Sequence, residues 1–126
     1  MLLTYDARED GRSNVQEIQN PDWSSVEQAV RRLDAKRHTE VTLGNHSYIS
    51  VSGGNGQYYV FIFTDDEQNL VLRNGSSSHG EVLLVSGGQT ARLPARHIVQ
   101  LHEALQAVRA YFEKSTPDPT MDWTES

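Results

Sequence analysis

With 126 residues the chain is long enough for one ordinary domain with its own core, so it needs neither a disulfide nor a structural metal to fold. It has no cysteine, which excludes a disulfide framework and thiolate chemistry. Lys and Arg number 11 against 17 Asp and Glu; a net charge of −6 is the wrong sign for holding nucleic acid by counterion release and the right sign for meeting a basic partner.

The opening MLLTYDARED is too short and too acidic for a signal peptide. The longest apolar run, YYVFIF, is strand-sized and does not approach a membrane span. Both features predict a cytoplasmic protein without membrane association.

Residues 2–6 (LLTYD) read as a first strand and AREDGRSNVQEIQ as a polar hairpin or loop. NPDWSSVEQAVRRLDAKR then predicts a helix. Asn20 suits the N-cap and Pro21, with its fixed φ and missing N–H, the first helical position. Trp23, Val26, Val30 and Leu33 recur at helical spacing, and Arg31, Arg32, Lys36 and Arg37 crowd the far end, where they complement the dipole.

From there the period becomes two. Val41 and Leu43 mark one strand, Ile49 and Val51 the next, with GNHS as the turn. GGNG turns the chain into residues 58–64, whose apolar residues on both faces predict a central strand covered on both sides or nearly so. DDEQN and LVLRN are a turn and a strand, GSSSHG is a loop, and EVLLVS with TARLP make a Gly-driven hairpin. Residues 95–114 predict a second helix with Ile98, Leu101, Leu105, Val108 and Phe112 on one stripe, bounded by Pro94 and STPDP.

The pattern of helix, run of antiparallel strands and helix predicts an α+β fold: a meandering antiparallel sheet of about six strands with two main helices packed on one face. Residues 1–126 form a single domain in this reading. Its tail, residues 115–126, turns at Pro117 and Pro119 and docks back through Trp123, whose indole has no reason to end a frayed segment. Trp23 and Trp123 are the expected structural anchors, with Met121 and Trp123 covering a sheet edge or a gap beside a helix.

Catalytic patterns are missing. His97 and His102 are five apart, which places them well apart around a helix, whereas a two-histidine zinc face needs a spacing of four. His38 and His46 flank a strand and read as surface residues. Ser76, Ser77 and Ser78 beside His79 lack the third group that orients a base, and no G-x-S-x-G elbow is present. GGNGQY lies between strands rather than before a helix, so it is a hairpin turn and not a phosphate cradle. Asp65, Asp66 and Glu67 are consecutive and poorly placed for a metal or an acid–base pair, but they form an acidic knob for a basic partner. No metal, no cofactor and no enzymatic activity are expected.

The order NPDWSSVEQAVRRLD, YYVFIFTDDEQNLVLRNG and LLVSGGQTARLPARHIVQLHEALQAVRAYFEKSTPDPTMDW resembles the Imm1 family of immunity proteins from bacterial polymorphic toxin systems, over residues 20–125. The most telling pieces are Trp23, GGQTARLP and the Pro117, Pro119 and Trp123 spacing. The resemblance implies a small cytoplasmic antidote that binds and neutralises a cognate secreted toxin domain, most often a nucleic-acid deaminase, by occluding its active site. It carries over no catalytic residue. The expected toxin-binding positions are Asp65, Asp66 and Glu67 with Asn74, Ser76 and His79, chosen because turns of a meander gather at one end. The partner expected is a basic toxin domain that acts on nucleic acid, with no direct nucleic-acid contact by this chain. The alternative is a small non-enzymatic ligand-sensing or scaffold domain.

Overall fold

A computed structural model describes residues 1–75 and 79–126. In chain order the elements are β1 (Leu2–Glu9), β2 (Arg12–Gln19), α1 (Trp23–Arg31), β3 (Glu40–Gly44), β4 (Tyr48–Gly54), β5 (Gln57–Phe63), β6 (Asn69–Leu72), β7 (Glu81–Ser86), β8 (Gln89–Pro94), α2 (Leu101–Lys114) and β9 (Trp123–Glu125). The fold is α+β, as the element pattern predicts. The main sheet is antiparallel and ordered β2-β1-β3-β4-β5-β6-β9.

The β7–β8 hairpin forms its own two-stranded sheet. The expected single meander therefore divides: seven strands in one sheet, and this hairpin laid beside β4. AREDGRSNVQEIQ supplies the end of β1 and all of β2, closed by Asp10 and Gly11 at φ 50° and 75°, the left-handed pair that a two-residue hairpin turn requires.

Alternation along the strands separates two faces. Leu3 pairs with Leu43, Leu43 with Ile49 and Ile49 with Ile62, so these four residues line one face. All are buried in one cluster with Val26, Ala29 and Val30 of α1 and Ala104, Ala107 and Val108 of α2. Both helices thus lie on the same side of the sheet.

The helix boundaries differ from the sequence reading. The cap of α1 is Asp22, whose side chain accepts from the Ser25 amide at 2.8 Å, while Asn20 sits at φ 47° and its amide closes onto the Met1 carbonyl. The stripe of Val26, Val30 and Leu33 is buried as expected, but the helix ends at Arg31. Asp34 ends the run: its Oδ1 accepts from the amides of Lys36, Arg37 and His38 at 2.9–3.0 Å, so Lys36 and Arg37 sit in a turn rather than on the helix.

The second helix begins at Leu101, not residue 95. Residues Ala95–His97 make a 3-10 turn, and Val99 pairs with Tyr58 through two backbone hydrogen bonds of 2.8 and 3.0 Å. Gln100 and Glu103 then form a reciprocal capping box. Ile98 consequently drops out of the expected helical stripe. The fully buried residues are Ala104, Ala107, Val108 and Tyr111, with Leu101, Leu105 and Phe112 at the margin. Two alanines let the helix approach the sheet closely, and the buried stripe rotates towards them.

The end of the chain is strand rather than loop. Leu72 pairs with Trp123, Val71 with Thr124 and Leu70 with Glu125, so β9 covers the outer side of β6. Trp123 packs partly buried against the core, and its Nε1–H donates to the Asp118 carbonyl at 3.0 Å. At the head of α1, Trp23 meets Phe112 at 5.7 Å between ring centroids, with the Arg109 guanidinium 4.7 Å over its ring.

Candidate functional site

The opposite pleat of the sheet faces away from both helices. Tyr48 lies directly across from Phe63, and Ser50 across from Phe61. The same rows continue through Thr42 and Thr4 to Glu17 on β2. Tyr48 and Phe63 are stacked at 5.7 Å and 29°, Tyr48 lies 6.2 Å from Phe61, and the exposed His46 ring meets Phe63 edge-on at 6.0 Å. The Tyr48, Phe61 and Phe63 rings are only part-buried and stand outside the core cluster. Residues 58–64 are thus sealed on the helix side by Tyr58, Val60 and Ile62, and only half-covered on the other.

The β7–β8 hairpin forms a wall along one side of this surface. Leu84 is buried against Gly53, where an added Cβ would stand 2.9 Å from Leu84 Cδ1. The Ser52 and Ser86 hydroxyls are 2.9 Å apart. The Gly88 amide donates to Thr39 Oγ1 at 3.0 Å, which brings the tip of the hairpin onto β3.

Beneath that tip lies a charged network. The Asp6 carboxylate, 7% exposed, accepts from the Thr39 hydroxyl, from the Thr39 amide at 2.7 Å, from the Glu40 amide at 3.0 Å and from Arg8 Nε at 2.7 Å. Burial pushes its pKa up, but the sum of these hydrogen bonds outweighs burial and holds it below the usual carboxylate value. Burial pushes the neighbouring Glu40 carboxyl up, and the Asp6 charge adds to the rise, against smaller opposing contributions from Ser86 and Arg8. Thr4, Asp6, Arg8, Val15, Glu40 and Thr42 line a cleft of about 170 Å3 between the sheet and Gly87.

The acidic turn lies elsewhere. Asp65, Asp66 and Glu67 are exposed between β5 and β6. Asp65 and Asp66 border a shallow depression with Ser47, Tyr111, Thr116 and Pro117. Asn74 follows β6 at its other end, so the strand separates it from the acidic turn, and His79 is exposed beyond it. The expectation that these positions gather at one end is corrected: consecutive turns of an antiparallel meander alternate ends, and β6 intervenes. Ser76 lies outside the described residues. Asn74 also has a bonding role, its Nδ2 donating to the carbonyls of Ala95 and Ile98 at 2.9 and 2.8 Å.

The histidines differ in detail from the sequence reading. His97 belongs to the 3-10 turn and His102 to α2, so they do not share one helix. His38 is half-buried, with Nδ1 2.7 Å from the Asp6 carbonyl oxygen. Among the described residues no group of three or more His, Asp and Glu could hold a metal ion, and no helix is long and apolar enough to cross a membrane.

The family model for immunity protein Imm1 matches residues 14–125. The chain belongs to the Imm1 family. The match opens inside β2, before residue 20 where the resemblance in the sequence begins, and it runs through both helices, the hairpin and Trp123 of β9. It thus includes the aromatic surface on β4 and β5 and the acidic turn; β1, which carries Asp6, lies ahead of it. A comparison with curated proteins gives no match. Membership of the Imm1 family makes this an immunity protein, one that works by binding a cognate toxin.

Proposed function

We propose that this Imm1 family protein acts in the cytoplasm, where it caps the active site of a secreted toxin domain that works on nucleic acid, a deaminase. The observation that carries the reading is the family match over residues 14–125, to which the charge adds a physical reason. A toxin that grips a nucleic-acid strand presents a basic cleft. A body with net charge −6 is drawn into that cleft and occupies it in place of the phosphates. In a deaminase, that seat blocks the path by which the target base reaches the zinc-bound water.

Asp65, Asp66 and Glu67 supply three adjacent exposed carboxylates, suited to long-range steering. Neutralisation needs no chemistry from the inhibitor, only a complex that buries about 1,200–2,000 Å2 and outlasts the encounter.

The test is co-expression. Cells producing the toxin domain encoded beside this gene should die or accumulate base changes, and should recover when this chain is supplied. Continued killing at full inhibitor expression would exclude the immunity reading for that pair. Strand breaks in place of base changes in unprotected cells would retain immunity and replace the deaminase with a nuclease.

A further inference from the structure

We infer that the helix-free face of the sheet, centred on Ser50 between Tyr48, Phe61 and Phe63, is the surface that seats the toxin, and that it takes a basic, arginine-bearing protein surface. This rests on the immunity reading above and names the part of the molecule that performs it.

Geometry, burial and charge converge there. Strand alternation fixes the two faces independently, and both helices occupy the other one. Tyr48 and Phe63 present a stacked pair at 5.7 Å, flanked by Phe61. Part-buried aromatics in rigid central strands are the kind of anchor that concentrates binding energy, because little side-chain freedom remains to be lost. Seven strands at about 4.8 Å spacing give a face about 30 Å across, wide enough to hold the standard footprint of about 800 Å2 per partner. The β7–β8 hairpin adds a raised wall that orients whatever lies on the floor.

The chemistry of the occupant follows from charge. Glu17 lies in the same cross-strand row as Ser50 and Phe61, and Glu40 lies one row away beside the hairpin. Arg8, on the same pleat, is paired with Asp6 at 2.7 Å and offsets Glu40 only in part, leaving Glu17 uncompensated by it. An aromatic floor with carboxylates at its border suits guanidinium groups, which stack on rings and pair with carboxylates at once. A second copy of this acidic chain would bring like charge to the same place.

The experiment measures binding of the catalytically inactivated neighbouring toxin domain to the full chain by calorimetry. Ser50→Arg puts bulk and positive charge at the centre of the face without touching the helix-side core. Gln28→Arg makes the same change on the exposed side of α1. The expectation is a loss of at least about 100-fold for Ser50→Arg and less than threefold for Gln28→Arg, with both variants matching the parent in circular dichroism. Should Ser50→Arg not fold, Thr42→Arg, directly across the ladder, carries the same test. Parent-like affinity in the folded Ser50→Arg or Thr42→Arg chain, or an equal loss in Gln28→Arg, overturns the surface while immunity stands. Self-association of the parent that Ser50→Arg abolishes, with toxin binding intact, assigns the face to a second copy and overturns it as well. No binding by the parent chain removes both the surface and the immunity reading.

Discussion

The hydroxyl of Tyr111, the deepest aromatic of α2, lies 2.8 Å from the hydroxyl of Ser47 in the turn between β3 and β4. One side chain thus fills the core with its ring and ties the helix to the sheet with its oxygen. Burial raises the phenol pKa, with Ser47 opposing the rise and Asp65 adding to it, so the neutral donor form is favoured.

Tyr111→Phe should cost about 1 kcal/mol, the ordinary net value of one hydrogen bond. Tyr111→Ala should cost about 3–5 kcal/mol through the cavity it leaves. Urea denaturation midpoints separate the two. A Phe variant as damaged as the Ala variant would show that the hydroxyl, and not the ring, secures α2.

Asp6 should govern acid stability. Its folded pKa lies below the unfolded value, so the stability it contributes is complete above about pH 4 and fades as pH falls through the folded value. Asp6→Asn should cost about 2–4 kcal/mol near neutrality, because several charge-assisted hydrogen bonds are weakened at once. Its denaturation midpoint should also fall less steeply with acid than that of the parent.

Glu40 has the opposite sign. Its folded pKa is raised, so its contribution is present below the unfolded value and lost as pH rises through the folded one. Glu40→Gln should therefore gain on the parent above that range and match it in acid. The check is a pair of denaturation series over about pH 3–7.

The fold was more legible than its surface. The stripe of Val26, Val30 and Leu33 appeared in the spacing because one helix face must be apolar to meet the sheet. Trp123 was conspicuous because a large indole needs a place to pack. Boundaries misled where two signals competed: Asn20-Pro21 looked like a helix start, while Asp22 made the cap, and Pro94 preceded a 3-10 turn before Gln100 and Glu103 could start α2. The separate β7–β8 sheet was not visible, because period-two alternation is the same whichever sheet a strand joins. Phe61 and Phe63 read as core for a related reason, since the sequence does not say which side the helices take. The acidic turn and Asn74 looked adjacent along the chain, and only the course of β6 separates them.

Trp123 should matter to both stability and solubility. Trp123→Ala should cost about 2–4 kcal/mol, less than a fully buried tryptophan, because its ring keeps some exposure. Trp123→Phe should lose the hydrogen bond to Asp118 and cost about 1 kcal/mol. Light scattering on mild warming should rise earlier for the Ala variant, since loosening β9 uncovers the ladder groups of β6.

The acidic turn should set the speed of toxin capture. Reversal of Asp65, Asp66 and Glu67 to lysine should slow association by about tenfold or more at low salt and flatten its salt dependence, with little change in dissociation. Stopped-flow mixing with the inactivated toxin domain reads both rates. An unaltered association rate would leave steering to acids elsewhere.

A pleated strand is written twice, once in its odd positions and once in its even ones. Here the set turned towards the helices is held to close tolerances of volume, and in the set turned outwards only some positions, such as Asp6, Ser52 and Val71, are held as tightly. Residues such as Ser50 and Thr42 can change while Ile49, Val51 and Leu43 stay fixed. An antidote chasing a drifting poison can therefore rewrite its recognition without renegotiating its architecture.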